Sequence, residues 1–148
     1  MTLTRREIRE KALQSLFQLS ANDDLLPERA MQQALISSND LVDEVETALV
    51  PEYLDLLVNG VIRNQTAIDE EVQKYLENWS MARLAKTDVV IMRIAIFEML
   101  YVPEVPAKVA LNEALEITKL YSDEKSRKFV NGVLANIVNN LEKKKEAE

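Results

Sequence analysis

The chain has 148 residues, enough for one domain or two small subdomains, with 47% hydrophobic residues to build a core and 29% charged. It contains no cysteine and no histidine, which excludes a disulfide framework, a thiolate nucleophile, a Cys/His zinc site and an imidazole base. Its net charge of −7 opposes general nucleic-acid binding, so any contact with phosphates needs a local cluster of cations or a basic partner.

Two glycines and four prolines leave little material for hairpin turns, so an all-α fold is expected, with about six to seven helices. Thr4 and Glu7 have capping-box spacing and predict a first helix from Thr4, with Ile8, Ala12, Leu16 and Leu19 as its buried stripe and Leu13 and Phe17 flanking it. The polar run Ser20-Ala21-Asn22-Asp23-Asp24 ends it. Pro27 suits the first turn of a second helix carrying Ala30, Met31, Ala34 and Leu35, which Ser37-Ser38-Asn39-Asp40 closes. For 40–49 a short helix and an acidic loop are both open.

Pro51 opens a long helix whose apolar positions are Leu54, Leu57, Val58, Val61 and Ile62, and a helical pattern continues through Ile68, Val72, Tyr75 and Leu76 to about Glu77, with a bend near Asn64-Gln65-Thr66 left open. Gly60 falls inside it, at a cost of about 1 kcal/mol relative to alanine unless it admits a neighbouring helix. Trp79-Ser80 reads as a junction. Thr87 to about Leu100 is apolar nearly all round, the signature of a central helix. Pro103 and Pro106 mark a loop, and the next helix runs from about Ala107 to Tyr121 with Val109, Leu111, Leu115, Ile117 and Leu120 as its apolar positions. Ser122-Asp123-Glu124 caps a last helix whose apolar face is Phe129, Val130, Val133, Leu134, Ile137, Val138 and Leu141. The charged tail 143–148 is expected to fray.

Two basic clusters stand out. Arg5, Arg6 and Arg9 lie in the first turns of the first helix, with Arg5 and Arg9 four apart on one face. Cations there oppose the helix dipole, whereas an incoming phosphate gains from both the guanidinium groups and the free backbone amides. The alternative is a solvated turn in which Glu7 and Glu10 neutralise the arginines. Lys125, Arg127 and Lys128 open the last helix, and Phe129 beside them offers a stacking face or a core contact. The acidic groups Asp43-Glu44-Val45-Glu46 and Asp69-Glu70-Glu71 lack the histidines of helical carboxylate metal sites and read as a solvated or docking face. Glu98, Glu113 and Glu116 are candidate ion-pair partners of Arg93 or Lys119. No catalytic constellation, cofactor site or metal site emerges, and the chain is not expected to be an enzyme.

Four stretches, in order, resemble the NusB family: Arg5-Arg6-x-x-Arg9-x-x-Ala12-Leu13-Gln14-x-Leu16-Phe17, Arg93-Ile94-Ala95-Ile96-Phe97-Glu98, Val109-Ala110-Leu111-Asn112-Glu113-Ala114-Leu115-Glu116, and Lys128-Phe129-Val130-Asn131-Gly132-Val133-Leu134. Trp79-Ser80-x-x-Arg83-Leu84 fits between the first two. The resemblance implies a compact fold of two helical subdomains, placed here at about 1–50 and 51–142. It also implies a transcription antitermination factor that pairs with NusE, a small-subunit ribosomal protein, binds boxA RNA of nascent transcripts, notably ribosomal RNA leaders, and joins NusA and NusG on RNA polymerase. Position by position it implies RNA contacts from Arg5, Arg6 and Arg9, from Phe17 where a tyrosine is often found, and from Lys125, Ser126, Arg127, Lys128 and Phe129. Glu7 lowers, and Lys125 raises, the positive potential relative to other members.

The first and last helices are expected side by side, with Arg5, Arg9 and Lys128 in one patch. A homodimer that hides this patch is one open arrangement. No apolar run approaches the roughly 18–20 residues of a membrane span, and the start of the chain lacks the apolar segment of a signal peptide, so a cytoplasmic protein is expected. The main competing reading is a helical protein–protein adaptor that does not touch RNA. NusB-like domains also occur fused to ribosomal RNA cytosine methyltransferases, but these 148 residues contain no cysteine nucleophile.

Overall fold

A computed structural model describes residues 3–37, 49–76 and 80–147. Among them are six α-helices and no strand: α1 Arg5–Ala21, α2 Pro27–Ser37, α3 Glu52–Gln73, α4 Lys86–Tyr101, α5 Ala107–Tyr121 and α6 Glu124–Ala147, with a 3₁₀ turn at Met81–Arg83 before α4. The segment 40–48 and Trp79, for which the sequence left a short helix or loop and a junction, lie outside the described residues. The chain divides into two compact units, Met1–Arg63 and Asn64–Glu148. The division falls within α3, whereas the sequence placed it at 50/51, where Pro51 breaks the pattern. Pro51 immediately precedes the helix, and α3 runs without a break through 64–66.

In the first unit, Thr4 caps α1: its Oγ1 accepts from the Glu7 amide at 3.1 Å and the Glu7 carboxylate accepts from the Thr4 amide at 2.9 Å. The backbone amide of Thr4 and its hydroxyl hold the Glu7 carboxyl below its usual range. α1 packs on α2. Ala12, Ala30 and Ala34 are at most 1% exposed, and such small side chains let helix backbones approach closely. The buried arc of α1 is wider than its apolar stripe and takes in Arg9, Lys11 and Ser15. Lys11 donates its Nζ to the Ala34 carbonyl at 2.8 Å. It thereby supplies a cation to the last turn of α2, where the helix dipole favours one. Burial pulls the Lys11 ammonium below its ordinary value, and Glu10 and Glu7 partly restore it.

In the second unit α4 is the central helix, buried at Asp88–Met92 and Ile94–Glu98, with α5 and α6 packed on it and on each other. Arg93 forks onto Asp69 of α3, Nε to Oδ1 and Nη2 to Oδ2 both at 2.9 Å, so neither Glu98, Glu113 nor Glu116 supplies this pair. Lys119 pairs with Glu116 at 3.2 Å on the surface of α5. The Tyr75 hydroxyl accepts from Asn140 of α6. Of the expected apolar row of α5, Ile117 is buried and Leu111 and Leu115 are partly covered, whereas Val109 is 43% and Leu120 65% exposed; Ala110, Ala114 and Thr118 complete the buried face. Ala110, Ala114 and Thr118, small residues at steps of four, allow close packing, and Val109 and Leu120 fall outside that face. α6 continues to Ala147 where the sequence predicted a frayed tail from 143. Lysines 144 and 145 in its last turn complement the helix dipole.

Candidate nucleic-acid interface

The basic residues singled out in the sequence fall on two helix beginnings, one in each unit. On α1, Arg5 and Arg6 are exposed, while Arg9 is buried at 4% exposure. The expectation that Arg5 and Arg9 present one cationic face is therefore corrected. Arg9 sits between Ile8 and Leu13 in the buried arc and is engaged within the protein. Phe17 is 40% exposed, a large apolar ring at the surface of α1.

Arg5 does not extend freely into solvent. Its Cζ lies 3.6 Å from the centroid of the Tyr53 ring, in the first turn of α3. This is a cation–π contact, which uses the face of the guanidinium. The two residues border an open cleft of about 490 Å³ within the first unit, where Glu52, Asp55, Asn59 and Arg63 also lie. The Asp55 carboxylate accepts from the Asn59 side-chain amide. No local signal announces this partnership, because Arg5 and Tyr53 are 48 positions apart and fall on helices whose packing periodicity does not predict.

The second cluster is built from the elbow between α5 and α6. Asp88, 5% exposed in the first turn of α4, accepts from the Ser122 hydroxyl at 3.0 Å and fixes the residue that ends α5. Asp123 then accepts from the Ser126 amide at 2.8 Å, an N-cap to α6. That backbone hydrogen bond holds its carboxyl below the usual range. Beyond the cap, Val130, Val133, Leu134, Ile137 and Val138 are buried and set the rotation of the helix. Lys125, Arg127 and Lys128 are consequently exposed, with Ser126 and Phe129 partly covered. The Lys128 ammonium is 3.9 Å from Glu124, at the limit of an ion pair, and both side chains are about four-fifths exposed (79% and 81%). Such a pair contributes little and leaves the charge available. Phe129 therefore stands at the rim, between the core and the exposed cations.

Among the described residues no group of three or more carboxylates is arranged to hold a metal ion, and no helix is long and apolar enough to cross a membrane. Asp69 and Glu71, read as part of an acidic face, are engaged by Arg93 and Lys74. The arrangement offers cations, backbone amides at helix starts and two accessible phenylalanine rings, the ingredients of a surface for phosphate and unstacked bases.

The comparisons with known proteins agree with one another. The transcription antitermination protein NusB of Enterococcus faecalis is 56% identical over 142 residues, covering 95% of this chain and 92% of that protein. The solved structure of T. maritima NusB superposes with a TM-score of 0.78 at 32% identity, over 94% of this chain and 93% of that one. A structure of antitermination factors NusB and NusE in complex with dsRNA shares the fold, with a TM-score of 0.74 at 23% identity over 92% and 96% of the two chains. The NusB family model matches residues 6–139, and on these grounds the chain belongs to the NusB family.

Proposed function

We propose that this protein is a non-enzymatic transcription antitermination factor of the cytoplasm. In this reading it binds boxA-type RNA of nascent transcripts, ribosomal RNA leaders in particular, in complex with NusE, and joins NusA and NusG on RNA polymerase. The observation that carries this reading is the 56% identity, over nearly the full length of both chains, with a protein named for transcription antitermination. A fold shared with a NusB determined together with NusE and dsRNA supports the same partners.

The surface adds physical support. Arg5, Arg6, Lys125, Arg127 and Lys128 are exposed cations on a chain of net charge −7, and they sit at helix starts where backbone amides also favour anions. We assign phosphate contacts to these five, with Ser126 as a hydrogen-bonding neighbour. Phe17 and Phe129 are assigned to stacking on unpaired bases. Arg9, buried in the free protein, is assigned to holding α1 in place. A basic NusE would lessen the repulsion between RNA and the acidic chain.

Fluorescence anisotropy of a short labelled boxA-type RNA, titrated with the protein with and without NusE at two salt concentrations, tests the reading. Salt-sensitive binding that NusE strengthens and a scrambled RNA abolishes is the expected result. Failure of folded protein to bind under either condition would replace it with the protein–protein adaptor. The acidic charge and the exposed Val109, Leu120 and Tyr121 of α5 favour that second reading.

A further inference from the structure

The cleft at the start of α3 contains cations and anions at close quarters. Arg5 and Arg63 line it together with Glu52 and Asp55. An arginine in such surroundings ordinarily settles on a carboxylate, and a paired guanidinium has its in-plane donors occupied and its charge cancelled. Here, among the described residues, Arg5 rests on the ring of Tyr53, 3.6 Å from its centroid, and not on either acid. Cation–π contact engages the face of the guanidinium, while its N–H donors lie in the plane and remain able to fork onto a phosphate. Tyr53 is itself half-buried on α3, so the platform is anchored by the fold.

We propose that Tyr53 is a positioning residue for RNA: its ring keeps the Arg5 guanidinium off Glu52 and Asp55 and holds it ready for a backbone phosphate. The inference rests on the RNA-binding reading above and adds to it a residue on α3. It explains how a cation surrounded by acids serves an anionic ligand. Without the ring, Arg5 would fall onto the carboxylates of its own cleft and stop contributing.

Anisotropy titrations of the labelled boxA-type RNA, with NusE present and at several salt concentrations, test the proposal in five variants. Tyr53→Phe retains the ring and should bind like the wild type. Tyr53→Leu and Arg5→Ala should each weaken binding about tenfold and make the slope of log K against log salt shallower by about 0.7, one single-strand phosphate contact. Glu52→Gln with Asp55→Asn removes the competing carboxylates. Neutralising two acids strengthens RNA binding in any background, so the decisive quantity is the difference: the gain should be several-fold larger on Tyr53→Leu than on the wild type. A residue that merely supports the fold would not produce that coupling.

Tyr53→Leu binding like the wild type while Arg5→Ala is weakened would overturn the proposal and leave the RNA reading intact; equal gains in the two backgrounds would do the same. Absence of binding by the wild type would overturn both. Should Tyr53→Leu fail to fold, NMR provides a second measurement on the wild type and Tyr53→Phe. The Arg5 δ-methylene protons should be shifted upfield by the ring in both, and unshifted resonances would refute the stacked geometry.

Discussion

Lys11 shows how a charged side chain can belong to the interior of a helix pair. Its stem lies in the buried arc of α1 and its ammonium reaches the carbonyl of Ala34 at 2.8 Å. Replacing it with alanine removes the donor and opens a gap, so Lys11→Ala should lower stability by about 2 kcal/mol in urea unfolding, with binding-site residues untouched. Arg9 is buried likewise, and its burial was hidden from the sequence reading. Periodicity marks the apolar centre of a helix face but not how far the buried arc extends beyond it, and long cationic side chains are buried rarely enough to be read as solvated. The carboxyls with lowered pKa make a separate prediction. Glu7 and Asp123 are held below their ordinary values of 4.5 and 3.8, chiefly by backbone hydrogen bonds at helix starts. Their depressed pKa adds stability that is present above those ordinary values and disappears as pH falls through the folded-state pKa. Acid titration of the melting temperature should therefore drop more steeply below about pH 3.8 in the wild type than in Asp123→Asn, which keeps the cap and loses the charge.

The helices themselves were legible to a high degree where chemistry punctuates them. Pro27, the Thr4 capping box and the Ala107–Tyr121 limits all emerge from local signals that tertiary contacts do not override. The face of α5 was legible only at Ile117, because the rest of it packs through Ala110, Ala114 and Thr118, and small residues carry almost no hydrophobic signal. Arg93 likewise found its partner on α3, 24 positions away, and not among the nearby glutamates. That fork is partly buried, with side-chain exposures of 18% and 26%. Asp69→Ala leaves the guanidinium uncompensated and should cost about 2–3 kcal/mol in denaturant unfolding. α6 carries the opposite kind of site. Gly132 is exposed in mid-helix, and a methyl group there would meet nothing within 4 Å. Gly132→Ala should raise stability by about 0.5–1 kcal/mol, visible as a higher melting temperature.

For the molecule as a whole, a chain of net charge −7 that belongs to a family named for transcription antitermination can present positive charge only where its cations are locally clustered and exposed. The positions of Lys125, Arg127 and Lys128 at the start of α6 were readable from capping residues and apolar periodicity; the Arg5–Tyr53 contact was not, since it joins distant parts of the sequence. Replacing Lys125, Arg127 and Lys128 together with alanine should lower the slope of log K against log salt by about 2, at roughly 0.7 for each single-strand phosphate contact. The loss in affinity should shrink as salt rises, while the melting temperature stays near that of the wild type.

That last expectation follows from the elbow before α6. The direction of the helix is set by Asp88, Ser122 and Asp123, and its rotation by the apolar residues from Val130 onward. Positions 125, 127 and 128 contribute to neither. They form a stretch of sequence on which selection can act without passing through the stability of the fold. An exchange of acid for base there would change the charge that this end of α6 offers an anion, in small steps and with the apolar packing of the helix left in place.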